Sequence, residues 1–190
     1  MPPKNRFTKQ EIIDTAFELV RKQGMEALTA RALAENLQAS SKVIFGLFEN
    51  MQDLKDEVLQ AVKKYYATYI EKALKQEQPF KQVGIQYIVF ASTEPQLFRL
   101  LFMTAQPEIS QLENALPLLD EQYEAILQSI IQSYSVEREQ AKRLYLHLWI
   151  YTHGIATLYA NQMGTFRQEE IEQMLLEIFV SLLKNQEMMK

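Results

Sequence analysis

The chain contains no cysteine. That excludes disulfides and thiolate metal sites, and it fits a reducing compartment. Only five glycines and six prolines punctuate the 190 residues, and each glycine stands alone. A glycine-rich loop that could cradle a phosphate is therefore missing. There are two histidines, His147 and His153. Their spacing puts them about 120° apart around a helix, which does not suit one metal ion. No Glu-x-x-His occurs, so the ligand set of a di-iron helical bundle is absent. No apolar run reaches the roughly 18–20 residues that span a bilayer. The opening Met1–Arg6 stretch is polar and lacks the apolar core of a signal peptide. These absences predict a cytoplasmic protein with no membrane partner, no catalytic residues, no metal and no cofactor.

What is present is apolar content and helical rhythm. Hydrophobic residues make up 47% of the chain, enough for a sizeable core. The net charge of −4 is unevenly spread: residues 1–64 sum to +1 and residues 65–190 to −5. The N-terminal part is thus relatively basic, a tilt rather than a strong patch. Helical periodicity recurs along the chain and strand-type alternation is rare, so the reading is all-α.

Thr8 and Glu11 form a capping box for a first helix that Gly24 closes. Ala30, Leu33, Ala34 and Leu37 then make one stripe of a short second helix. Gln38-Ala39-Ser40 breaks it, and a third helix follows from Ser41 to about Leu47, with Ser40 as its cap. Further helices are predicted over about 53–76, 80–93, 96–103, 115–134, 136–162 and 165–185, which makes nine; Ser135 is the expected cap of the helix at 136–162, and Gly164 its break. The expected division is a head over residues 1–50 and a body over 51–190.

Two short helices joined by a tight turn fit a helix-turn-helix. An ordinary helical hairpin fits the spacing equally well. If the pair reads DNA, Ser40, Ser41, Lys42 and Gly46 face outward, while Val43 or Ile44, Leu47 and Phe48 face the core. Thr29 offers its hydroxyl and the free amides of its helix to a phosphate, with Arg31 beside it. Lys4 and Arg6 form an arm able to reach the backbone or a minor groove.

In the helix at 136–162, Leu144, Leu148, Tyr151, Ile155 and Leu158 make one stripe, and Tyr145, Trp149, Thr152, Ala156 and Tyr159 a second. With Ile171, Leu175, Ile178 and Leu182 in the last helix, two readings are open. One is an intramolecular core. The other is a homodimer in which the helices at 136–162 and 165–185 meet a second copy as a four-helix bundle.

Thr8-x-x-Glu11-Ile12-Ile13-Asp14-Thr15-Ala16, Gly24-Met25-Glu26-Ala27-Leu28-Thr29, Ala32-Leu33-Ala34, Ser40 and Ile44-Phe45-Gly46-Leu47-Phe48 with Asp53-Leu54 follow one another collinearly. Over roughly residues 6–60 this set resembles the TetR/AcrR family of regulators. Leu148-Trp149-Ile150-Tyr151-Thr152-His153-Gly154 and Glu94-Pro95-x-Leu97-Phe98-Arg99-Leu100-Leu101-Phe102 are similar to one C-terminal subgroup, that with a Trp-x-x-x-His-Gly segment.

The resemblance implies a three-helix DNA-binding head joined by a long helix to a six-helix ligand-binding and dimerisation domain. It implies a dimer on a palindromic double-stranded DNA operator, acting as a repressor released by a small molecule. It also marks departures. Gln38 stands where the family has glycine, and Lys42 where it has a small residue or proline. Phe45 replaces a phosphate-contacting tyrosine, Leu47 a His or Tyr, and Met51 a phosphate-binding lysine. Fewer phosphate contacts predict weak operator binding with a shallow salt slope.

For an effector pocket, the lining candidates are Tyr87, Phe90, Phe98, Phe102, Met103, Tyr123, Leu127, His147 and Tyr151. Such residues suit a hydrophobic or aromatic ligand. They equally fit a plain core.

Overall fold

The computed structural model describes residues 7–105 and 107–188, and among these every regular element is helical. Ten α-helices follow in order: α1 (Lys9–Gln23), α2 (Ala30–Asn36), α3 (Lys42–Phe45), α4 (Met51–Leu74), α5 (Pro79–Thr93), α6 (Pro95–Phe102), α7 (Ala115–Leu119), α8 (Tyr123–Tyr134), α9 (Arg138–Ala160) and α10 (Gln168–Met188). Short 3-10 turns cover Met25–Ala27 and Leu112–Asn114. No described helix is long and apolar enough to cross a membrane.

The chain divides into two compact units. The first holds Met1–Tyr65 with Gln96–Met103, and the second holds Tyr66–Pro95 with Thr104–Lys190.

In the first unit, the Thr8 hydroxyl accepts the Glu11 amide at 3.2 Å, and the Glu11 carboxylate accepts the Thr8 amide at 2.7 Å. This is the capping box the sequence predicts, and it fixes where α1 starts. Ile12, Ala16, Leu19 and Val20 recur at helical spacing, and all four are buried. Gly24 ends α1 at φ 85°, a conformation that costs a side-chain-bearing residue free energy. A β-carbon there would also stand 3.2 Å from the Gln96 side chain. Leu28, Leu33, Ile44, Phe48, Leu54 and Val58 complete the core.

The second unit is built around α9. α5 lies along it, and α8 and α10 also pack on it. Both α9 stripes turn largely inward: Leu144, Tyr145, Leu148, Thr152, Ile155 and Ala156 are buried within this one chain. Tyr151, Leu158, Trp149 and Tyr159 are half-buried.

Three sequence readings need correction. The single helix predicted over 115–134 is two, because Asp120 adopts an extended backbone and ends α7, and its carboxylate accepts the Gln122 amide just ahead of α8. Ten helices result rather than nine. Ser135 does not cap α9: it sits at φ 52°, while Glu137 and Gln140 form the box. Gly164 does not end α9 either. The helix stops at Ala160, and Gln162 takes the left-handed conformation, with the Met163 amide donating to the Leu158 carbonyl at 2.9 Å.

Candidate functional site

In the first unit, α2 and α3 form the tight pair the sequence proposes. The turn between them has a definite chemistry. Gln38 stands at φ 49°. Its amide donates to the Glu35 carbonyl at 3.1 Å, and the Ala39 amide donates to the Ala34 carbonyl at 3.0 Å. Together these make the paired closure that ends a helix with one left-handed residue. α3 is a single turn, Lys42–Phe45, shorter than the predicted 41–47, but hydrogen bonds from Leu47 and Phe48 to Ile44 continue it. Ile44 is the buried anchor, and Val43 and Leu47 are half-buried.

Lys42, Ser40 and Gly46 are exposed, and Ser41 is half-buried. Phe45 is 49% exposed, a large apolar ring facing out. The Thr29 hydroxyl accepts the Ala32 amide at 3.2 Å, so it caps α2. Arg31 pairs with Glu35 at 3.0 Å across one exposed helix turn, an interaction weak enough to yield to a phosphate. Lys4 and Arg6 lie outside the described residues.

The start of α4, next to α3, is acidic. Asn50 accepts the amides of Gln52 and Asp53 at 2.8 and 3.0 Å, and Asp53 accepts the Glu49 amide at 3.1 Å. A shallow depression here is edged by Lys9, Phe45, Glu49, Asp53 and Asp56. Lys9 pairs with Glu57, and that hydrogen bond holds its ammonium above the usual lysine range.

The second unit contains a cavity of about 290 Å³. Its walls come from α4, α5, α8, α9 and α10, with Asp120 from the link between α7 and α8. The walls are mainly aromatic and aliphatic, including Tyr66, Phe80, Tyr87, Tyr145, Trp149 and Phe179. Asp120 is buried. One of its oxygens accepts the Gln122 amide at 2.8 Å, and the other accepts the Tyr145 hydroxyl at 3.2 Å, with the Tyr66 hydroxyl at 3.5 Å. Burial pushes the Asp120 carboxyl above the ordinary aspartate range, against these bonds, which pull it down. Desolvation likewise drives the Tyr66, Tyr87 and Tyr145 hydroxyls well above the ordinary phenol range.

At the cavity edge Lys81 pairs with Glu172 at 2.8 Å. His153 stacks on Trp149 and shares a hydrogen bond of 2.9 Å between its Nδ1 and the Tyr87 hydroxyl. Partial burial holds the imidazole below the ordinary histidine range, favouring its neutral form.

Two family models match the chain. Residues 80–182, more than half of it, match the tetracyclin repressor-like C-terminal domain, and residues 12–58 match the bacterial regulatory proteins of the tetR family. The chain belongs to the TetR family. Among curated proteins it is 36% identical over 58 residues to the tetracycline repressor protein class C of Escherichia coli. That match covers 30% of this chain and 26% of the relative, so it spans about a quarter of that protein. The two models describe a repressor-like C-terminal domain and the regulatory proteins of this family.

Of the effector-pocket candidates in this TetR chain, Tyr87 lines the cavity. Phe90 is fully buried, edge-on to Tyr66 and Tyr69. Tyr123 stacks on Tyr145 with ring centres 5.7 Å apart, and Leu127 is buried in α8. Tyr151 is half-buried and His147 is exposed on α9. Phe98, Phe102 and Met103 belong to the first unit; Phe98 is buried against Phe102, and Met103 is exposed.

Sequence reasoning missed Asp120, Tyr66, Phe80 and Phe179 as lining residues. Asp120 had a readable signal: an aspartate with Glu121-Gln122 before an apolar run is a helix-start pattern.

Proposed function

We propose that this TetR-family regulator is a homodimeric repressor whose operator affinity falls when a small hydrophobic or aromatic molecule occupies the cavity of the second unit. The observation that carries the ligand part is the cavity itself. A largely apolar space of about 290 Å³ with a few inward polar groups is the usual form of a small-molecule site.

The operator would be double-stranded and palindromic, because a two-fold dimer presents its reading helices to two half-sites. Ser40, Ser41, Lys42, Phe45 and Gly46 would meet the major groove and its edges, while Thr29 and Arg31 would meet phosphate. Lys4 and Arg6 would supply a basic arm.

For the dimer, the supporting observation is what α9 and α10 leave uncovered. Ile150, Met174, Leu176 and Val180 are exposed, and Gly154 on α9 has open space where a side chain would go. A second copy on this face would bury them as a four-helix bundle.

Ligand release needs a differential. A molecule that favours the arrangement with misplaced reading helices shifts the population away from DNA. A tenfold loss of affinity requires only about 1.4 kcal/mol of coupling. α4 contributes residues to both units, so it is the element through which we expect the coupling to run.

A second reading has one observation in its favour. Exposed Phe45 beside Glu49, Asp53 and Asp56 resembles a protein-docking surface more than a phosphate-facing one. A gel shift on DNA upstream of the protein's own gene separates the two. The repressor reading predicts a retarded band that disappears with excess specific competitor. No band at low salt favours the protein partner.

A further inference from the structure

We propose that the cavity of the second unit receives a lipophilic cation, with an organic ammonium or similar group held by Asp120 and the aromatic rings around it. This inference rests on the reading of the cavity as the effector site and narrows its chemistry.

Asp120 is only 6% exposed, yet it forms part of the cavity wall. Its hydrogen-bond donors are the Gln122 amide and the Tyr145 and Tyr66 hydroxyls, all of them neutral. Neutral donors soften the cost of a buried carboxylate but bring no opposite charge. Among the described lining residues the one cationic side chain is Lys81, and it is paired with Glu172 at 2.8 Å. The lining therefore holds two carboxylates and one ammonium. An anionic guest would meet Asp120 as a like charge. A neutral apolar guest would leave the carboxylate in a still drier place. A cationic guest offsets it.

The rings supply the second half. The faces of Tyr and Trp attract a cation within about 6 Å of the ring centre. Tyr66, Phe80, Tyr87, Tyr145, Trp149 and Phe179 surround the space. They are held against one another rather than free to swing. Tyr66 and Tyr87 meet edge to face at 6.3 Å, and Phe80 and Tyr145 do so at 5.9 Å. Such a site is already organised for a guest, which lowers the ordering cost of binding.

Trp149 is the chain's only tryptophan, so its fluorescence reports on this cavity. The full-length protein is titrated with benzyltrimethylammonium and with its neutral carbon isostere, 2,2-dimethylpropylbenzene, by fluorescence and calorimetry. We expect the cation to bind at least tenfold more tightly. Asp120→Asn keeps the side-chain shape and removes the charge. It should weaken the cation at least tenfold and leave the neutral compound within about twofold. A melting curve checks that the variant is folded. Phe80→Leu keeps an apolar wall but removes a ring face, and it should also weaken the cation selectively.

Equal affinity for the two compounds, or undiminished cation binding by Asp120→Asn, overturns the cation assignment and leaves the cavity as an effector site. If neither compound binds or perturbs Trp149, the cation assignment and the effector-site reading fall together.

Discussion

Gln38 holds the turn between α2 and α3 at φ 49°, a place where a side chain crowds the backbone. Gln38→Gly relieves that and should stabilise the protein by about 0.5–1 kcal/mol, since glycine reaches this region without steric cost. Urea unfolding of the pair of proteins measures it; an unchanged midpoint contradicts the strain. Asp120 gives a second prediction, in which the sign depends on pH. Its folded pKa is raised from 3.8, so the native state holds the proton more tightly than the unfolded chain does. Its favourable contribution is present below the unfolded value and is lost as pH rises through the folded one. Asp120→Asn should therefore be more stabilising, relative to wild type, at pH 7 than near pH 4. Paired unfolding curves at the two values decide this, and a constant difference would be the contrary result. At this scale the sequence was readable where a residue's job is local. Thr8, Glu11 and Gly24 do what their types and spacing predict. It was unreadable where the job depends on distant partners: nothing near Asp120 in the chain reveals that Tyr66 and Tyr145 close over it.

Elements carried more of the message. The α1–α2–α3 succession was legible because each helix has its own apolar stripe and its own stop. The α7–α8 break was not, because Ala115–Tyr134 keeps a helical rhythm through the interruption and only Asp120 marks it. The end of α9 was misplaced for a related reason. Gly164 looks like the natural stop, but Gln162 closes the helix earlier. The phosphate-facing chemistry is a property of α3 and the start of α4. Phe45 lacks a hydroxyl, Met51 lacks a charge, and Glu49, Asp53 and Asp56 lie near them. Phe45→Tyr with Met51→Lys should tighten operator binding. The salt dependence should steepen by about 0.9 in the log–log slope for each phosphate newly neutralised. Fluorescence anisotropy across a salt series tests this; parallel lines of equal affinity would show that these positions do not face DNA.

For the whole molecule, assembly and specificity are the properties a single chain's sequence hides. Helical stripes predict that α9 and α10 are amphipathic, but both α9 stripes find partners within one chain. The uncovered positions, Ile150 and Val180 among them, emerge only once the packing is known. Ile150→Glu with Val180→Glu should convert a dimer of twice 22.2 kDa into a monomer and weaken operator binding, with helical content kept. Light scattering with circular dichroism reads both; a wild-type protein that stays at 22.2 kDa at every concentration removes the dimer. The most direct test of a dimeric, operator-reading protein is selection of binding sites by the full-length protein from a pool of random duplex DNA, followed by sequencing. A two-fold symmetric sequence with half-sites about one helical turn apart, or a multiple of it, should be enriched. Failure to enrich any sequence at low salt would contradict that expectation.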